Sequence, residues 1–194
     1  MTDVATDIDS TAYDRFAVVV FGSDDVLKAV EEIRRALPPS GRPILPGHVT
    51  VKGTFIQPRD LSRTVQTVQA TCAEHAPFEL AAERPQAWEE DENVGVWLDV
   101  EPSDALAGLH RELVDALADH GQTIYRGETE GTFMPHLTIV QQVPRAQTRT
   151  IMSAIDGFDH RFTWTVHEVA LVARRVGGQW ETLVTFPLRG LAKR

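Results

Sequence analysis

The chain has 194 residues, which suits one domain or one domain built from two halves and is long enough to enclose a sizeable core. Its 42% hydrophobic and 24% charged residues exclude a fully disordered or collagen-like chain, and no apolar run approaches the roughly 18 residues that cross a bilayer. Lys and Arg total 19 against 28 Asp and Glu, a net charge of −9. That balance opposes binding of long duplex nucleic acid by counterion release, yet leaves room for a pocket that holds one phosphate.

The acidic opening, residues 1–14, reads as a loose tail, as does 189–194, so the expected domain spans 15–188. Arg15 to Phe21 is β-branched and aromatic and predicts a buried strand. Ser23 then caps a helix whose apolar positions Val26, Leu27, Val30, Ile33 and Leu37 recur at helical spacing until Pro38-Pro39. Residues 48–55 predict a second strand, and Pro58 and Asp60 open a second helix reaching about His75. Phe78 to Leu80 begins another strand, with 81–93 expected as a hairpin or loop.

The order then repeats. Val94 to Val100 is a strand, Ser103 caps a helix carried by Leu106, Leu109, Leu113 and Leu117, and the two helices align without a gap, Ser23 with Ser103 and Leu37 with Leu117. Pro58-Arg59 and Arg63-Thr64-Val65 likewise match Pro144-Arg145 and Arg149-Thr150-Ile151. A strand, helix, strand, helix series in the same order twice predicts internal duplication, with repeats over about 15–90 and 93–188. Strands at 162–166, 168–174 and 180–188 close the chain, the last two joined at Gly177-Gly178. The expected fold is α+β: a duplicated β-α-β-α-β unit forming two pseudo-symmetric lobes whose antiparallel sheets face a central cleft.

Inside the repeat lie Pro46-Gly47-His48-Val49-Thr50-Val51 and Pro135-His136-Leu137-Thr138-Ile139. Of the seven histidines, only these two have Ser or Thr two residues later. Side chains alternate along a strand, so His48 and Thr50 share a face while Val49 and Val51 point to the core, and His136 and Thr138 do the same. Each strand then offers an imidazole and a hydroxyl roughly 7 Å apart.

In these residues the chain resembles the 2H phosphoesterase superfamily, which includes the bacterial and archaeal 2′-5′ RNA ligase and cyclic phosphodiesterase proteins. That family carries one His-x-Ser/Thr-x motif in each half of a duplicated α+β domain. Here the motifs are residues 48–51 and 136–139, and the resemblance covers roughly 15–188. It implies catalytic roles for His48, Thr50, His136 and Thr138. It further implies a metal-independent enzyme without cofactor that hydrolyses 2′,3′-cyclic phosphates on RNA termini or small cyclic nucleotides. One histidine would serve as base and the other as acid, and the sequence leaves open which is which.

Further substrate-binding candidates are Lys52, placed on the face of His48, and Phe55, Tyr125 and Arg126; Trp88 is another aromatic that could stack a base, and Arg174-Arg175 could contact phosphate. The glycine-bearing stretch 118–134 reads equally as a lid or a plain surface excursion. Cys72 is the single cysteine, which excludes a disulfide framework and a cysteine-rich zinc site. With no signal peptide, the expectation is a cytoplasmic monomer that engages neither membrane nor long duplex nucleic acid. Two rivals remain at this point: a catalytically silent nucleotide or RNA-end binder on the same fold, and a two-histidine metal protein.

Overall fold

The chain's computed structural model describes residues 9–39, 45–56, 58, 60–124 and 133–190. The first valine-rich run forms β1 (Tyr13–Phe21), followed by α1 (Asp24–Ala36), β2 (His48–Ile56) and α2 (Leu61–Ala73). Asp60 caps α2 by accepting from the Arg63 backbone N–H at 2.9 Å, an interaction of the kind worth about 1 kcal/mol. Then come β3 (Phe78–Glu90), β4 (Asn93–Val100), α3 (Asp104–Ala116), the two-residue β5 (Gln122–Thr123), β6 (His136–Pro144) and α4 (Thr148–Ile155). The chain closes with β7 (Phe162–Val166), β8 (Glu168–Arg175) and β9 (Trp180–Pro187), Gly177 supplying the positive φ of 65° between the last two.

All strand pairs are antiparallel, in the order β7-β3-β4-β6-β2-β1-β8-β9, with β5 paired to β2. Two four-stranded halves, β7-β3-β4-β6 and β2-β1-β8-β9, meet at the β2–β6 seam through one registered pair, Val49 with Leu137. This is the expected α+β architecture with its two antiparallel lobes, made continuous at the seam. Strand exchange ties the halves together: β3, which follows α2, pairs with β4, while β8, near the end of the chain, pairs with β1.

The large core lies between the sheet and the helices. Phe16, Val18 and Val20 of β1 and Val94, Val96, Leu98 and Val100 of β4 face it, against Val30 and Ile33 of α1, Val65 and Val68 of α2, and Leu109 and Leu113 of α3. Cys72 is buried there, which pushes its thiol pKa up to about 12. The opposite face is lined by a smaller cluster of Ala17, Val19, Leu45, Ala170 and Val172. Among the described residues no helix is long and apolar enough to cross a membrane.

Of the two forms expected for 81–93, the structure has the hairpin: β3 runs on through 81–90, pairs antiparallel with β4, and turns at Asp91-Glu92. The register breaks between Glu83 and Pro85, with Arg84 at φ 46°, so a bulge accommodates the proline that lacks a ladder donor. Charged residues on the exposed face hide the strand's alternation.

Candidate active site

Both histidine motifs sit where β2 and β6 meet. The strands run antiparallel through the single registered pair Val49–Leu137, so His48 and Thr50 flank one member of the pair and Thr138 and His136 flank the other in the opposite order. Val49 and Leu137 are fully buried beneath them. A local twofold through this pair therefore relates the two His-x-Thr units, and the two imidazoles lie diagonally across it.

Each motif ends in a β-bulge. On β2, Thr50 pairs with Val19 but Lys52 with Val18, leaving Val51 as the extra residue; on β6, Thr138 pairs with Trp97 but Val140 with Val96, leaving Ile139. The bulge turns the following side chain to the core face, where Val18 and Val96 lie. The placement of Lys52 beside His48 is corrected for this reason. Lys52 is 1% exposed, with Nζ 3.2 Å from Thr123 Oγ1 and 5.5 Å from the centre of the Phe55 ring.

His48 Nδ1 lies 2.8 Å from the Pro46 carbonyl oxygen and His136 Nδ1 lies 2.9 Å from that of Met134, in each case two residues earlier. A carbonyl only accepts, so Nδ1–H donates in both rings and Nε2 is left as the reactive nitrogen. His160 makes the same bond to Phe158 at 3.0 Å, so the contact marks the site only in combination with the threonine. Gly47, the extra residue of the first motif, lies where an added Cβ would stand 3.2 Å from Val30 Cγ2, and its carbonyl accepts from Gly22 N–H at 3.0 Å. That close approach to α1 brings the chain tightly into His48.

The electrostatics break the symmetry. Burial drives the His48 pKa down to about 4, the Pro46 carbonyl acting the other way and the charges of Arg34 and His136 adding to the fall. His136 is also lowered, chiefly by burial, but the Met134 carbonyl and the Asp99 carboxylate oppose that. The cross-strand neighbours explain the contrast, since His48 pairs with Phe21 and His136 with Asp99.

Residues that sequence reasoning missed brace the two bulges. Arg34 of α1 donates from Nε to the Ile139 carbonyl at 2.8 Å and from Nη2 to the Thr138 carbonyl at 3.0 Å. His110 of α3 donates from Nδ1 to the Val51 carbonyl at 2.7 Å. Each bulge carbonyl is thus held by a helix from the other half of the sequence. Trp97 was also missed as a site neighbour: its ring lies 5.2 Å from that of His136. The burial alternation of β4 carries that signal, because Val94, Val96, Leu98 and Val100 point inward and leave Gly95, Trp97 and Asp99 on the face of the motifs.

The secondary candidates separate from this group. Phe55 is 2% exposed and stacks on Phe16 at 5.7 Å, so it is a core residue and not a free stacking surface. Arg174 pairs with Asp14 and Arg175 with Glu181, which commits both guanidinium groups to the β1-β8-β9 edge. Tyr125 and Arg126, with 127–132 of the glycine-bearing stretch, lie outside the described residues. Among the described residues no three His, Cys, Asp or Glu side chains gather as a metal-binding group.

Comparison with known proteins gives the family and the fold. A sequence model described as the 2′-5′ RNA ligase superfamily matches residues 22–178. A protein of Geobacillus kaustophilus (strain HTA426), provisionally named a phosphoesterase, is 24% identical over 177 residues, covering 91% of this chain and 97% of its own. A similarly named protein of Geobacillus sp. (strain WCH70) is 26% identical over 149 residues, covering 76% and 81%. The crystal structure of TT0787 of Thermus thermophilus shares the fold with a TM-score of 0.66 at 18% identity, covering 91% of this chain and 98% of that one. Escherichia coli LigT complexed with 3′-AMP gives a TM-score of 0.65 at 17% identity with the same coverage. The chain belongs to the 2′-5′ RNA ligase superfamily of phosphoesterases.

Proposed function

We propose that this phosphoesterase hydrolyses 2′,3′-cyclic phosphates, on RNA ends or small nucleotides, by general acid-base catalysis between His48 and His136 without a metal ion. The observation that carries this reading is the doubled unit at the β2–β6 seam: an imidazole anchored through Nδ1, with a threonine on the same face, placed twice about one local twofold. Ring opening needs a base for the attacking water and an acid for the departing ribose oxygen, on opposite sides of phosphorus. Two imidazoles related by a twofold supply that pair.

His48, held neutral by burial and by nearby positive charge, takes the base role. Its Nε2 accepts a proton from water as the water oxygen bonds to phosphorus. His136, beside Asp99, takes the acid role and delivers a proton from Nε2 to the ribose oxygen as the P–O bond breaks. Each proton transfer is worth about 10²–10⁴ in rate. The Thr50 and Thr138 hydroxyls donate to the non-bridging oxygens and hold phosphorus in line. With a ribose 5′-hydroxyl in place of water, the same pair would form a 2′-5′ linkage: His48 takes the hydroxyl proton as its oxygen bonds to phosphorus, and His136 protonates the 3′-oxygen as the P–O3′ bond breaks.

A nucleotide-sized ligand is supported by the fold neighbour LigT, whose structures include complexes with 3′-AMP and with phosphate. The test is turnover by the purified protein, in EDTA, of 2′,3′-cyclic mononucleotides, 2′-5′ dinucleotides and cyclic-ended RNA. Hydrolysis of the cyclic phosphates is the expected result. Binding without turnover of any substrate would instead assign a silent binder.

A further inference from the structure

The two lobes differ on the face that carries the motifs. In the first, the residue beside Thr50 on β1 is Val19, buried with Leu45 and Val172. In the second, the residue beside Thr138 on β4 is Trp97, half-buried. The Trp97 ring lies 5.2 Å from His136 on one side and 6.1 Å from Trp88 on the other, in an edge-on contact. Trp88, on β3, is 53% exposed. A row of three rings therefore runs from the histidine outward across β6, β4 and β3.

This row is fixed in place. The Trp97 indole Nε1–H donates to Asp99 Oδ1 at 3.3 Å, and Gln86 Nε2 donates to Asp99 Oδ2 at 3.1 Å, so the carboxylate orients the ring. Trp88 stands opposite Gly95, which places no side chain between Trp88 and Trp97. Resting on the proposed cyclic phosphodiesterase reading, we propose that Trp97 and Trp88 form a stacking platform for nucleobases, continuous with His136, that takes a single-stranded RNA end of two or more nucleotides.

Continuity with His136 determines the occupant. A ligand whose phosphate lies between the two histidines has its own nucleoside within reach of Trp97, and a second step of the same chain reaches Trp88. Stacking contributes free energy to every base without reading sequence and needs no basic groove. That suits a chain with net charge −9, where affinity beyond one phosphate must come from a source other than charge. The carboxylate of Asp99 along the row favours a base over a second phosphate at that point.

The experiment compares KM for 2′,3′-cyclic AMP and for the cyclic-ended dinucleotide ApA, in EDTA, for the wild type, Trp88→Ala and Trp88→Phe. Trp88→Ala is expected to raise the dinucleotide KM about tenfold more than the mononucleotide KM, with kcat for the two substrates changing in parallel, and Trp88→Phe to keep most of the dinucleotide preference. A role limited to covering Gly95 would shift both substrates equally. Equal shifts, or none, overturn the platform. If the wild type turns over neither substrate, the phosphodiesterase reading fails separately. The platform is then decided by the Kd of ApA 3′-phosphate from titration calorimetry, which must rise in Trp88→Ala; an unchanged Kd there overturns it.

Discussion

Replacing His48 by Asn isolates the energetic cost of keeping an imidazole neutral at the β2–β6 seam. The amide of Asn can still donate to the Pro46 carbonyl, so the variant removes the titration more than the anchor. In the folded protein burial lowers the His48 pKa from 6.5 to about 4. The unfolded chain therefore binds this proton first, and the contribution to stability is complete above the ordinary value, declines as pH falls from 6.5 to about 4, and is lost below that. The difference corresponds to about 3 kcal/mol over the window, and it falls on a side chain only 8% exposed. Urea unfolding of wild type and His48→Asn at several pH values across the window provides the assay. Because His120 and His136 are lowered too, the wild type alone would mix three titrations, whereas the difference between the two proteins reports His48. The account expects the variant to gain about 3 kcal/mol on the wild type between pH 7 and pH 4. A stability difference independent of pH would refute it.

Three shorter predictions follow from the same geometry. Both imidazoles are lowered and His48 the more clearly, so kcat/KM should be bell-shaped with its maximum on the acidic side of 6.5; its limbs belong to the coupled pair, and a profile rising steadily into the alkaline range would contradict the role assignment. Arg34→Met removes two hydrogen bonds from a charged donor to the Thr138 and Ile139 carbonyls, so stability should fall by about 2–3 kcal/mol and the His48 pKa, followed by NMR, should rise; an unmoved His48 titration would count against the brace. KM should differ little between a cyclic-ended dinucleotide and a cyclic-ended RNA of about twenty nucleotides, with a shallow salt dependence for both, whereas a steep salt slope for the long RNA would reveal a basic groove.

The sequence was most legible where local chemistry and tertiary role coincide. Helix caps, apolar stripes and the two His-x-Thr runs were readable because the same residues that set local conformation also face the core or the site. What was hidden depends on contacts between distant segments. The bulges at Val51 and Ile139 leave no local signature, since they arise from pairing with β1 and β4. Strict alternation therefore put Lys52 on the wrong face. Phe55 suffered similarly, because an aromatic on a strand reads alike whether it meets solvent or Phe16. Arg34 occupies the last turn of α1, where a cation is ordinary, and its bonds to β6 arise only from the packing of distant segments. The polar run after Leu80 left hairpin and loop both open because its exposed face carries charge and its proline sits at a bulge.

The central claim is that two histidines, one from each half, share the proton transfers of phosphodiester hydrolysis. Its most direct measurement is the turnover of a 2′,3′-cyclic phosphate in EDTA by His48→Ala, His136→Ala and the double variant, each checked for native structure by circular dichroism. The account predicts that each single variant loses about 10²–10⁴ in kcat and that the double variant loses far less than the product of the two, because the residues act as a unit. Turnover close to wild type in either single variant would contradict it.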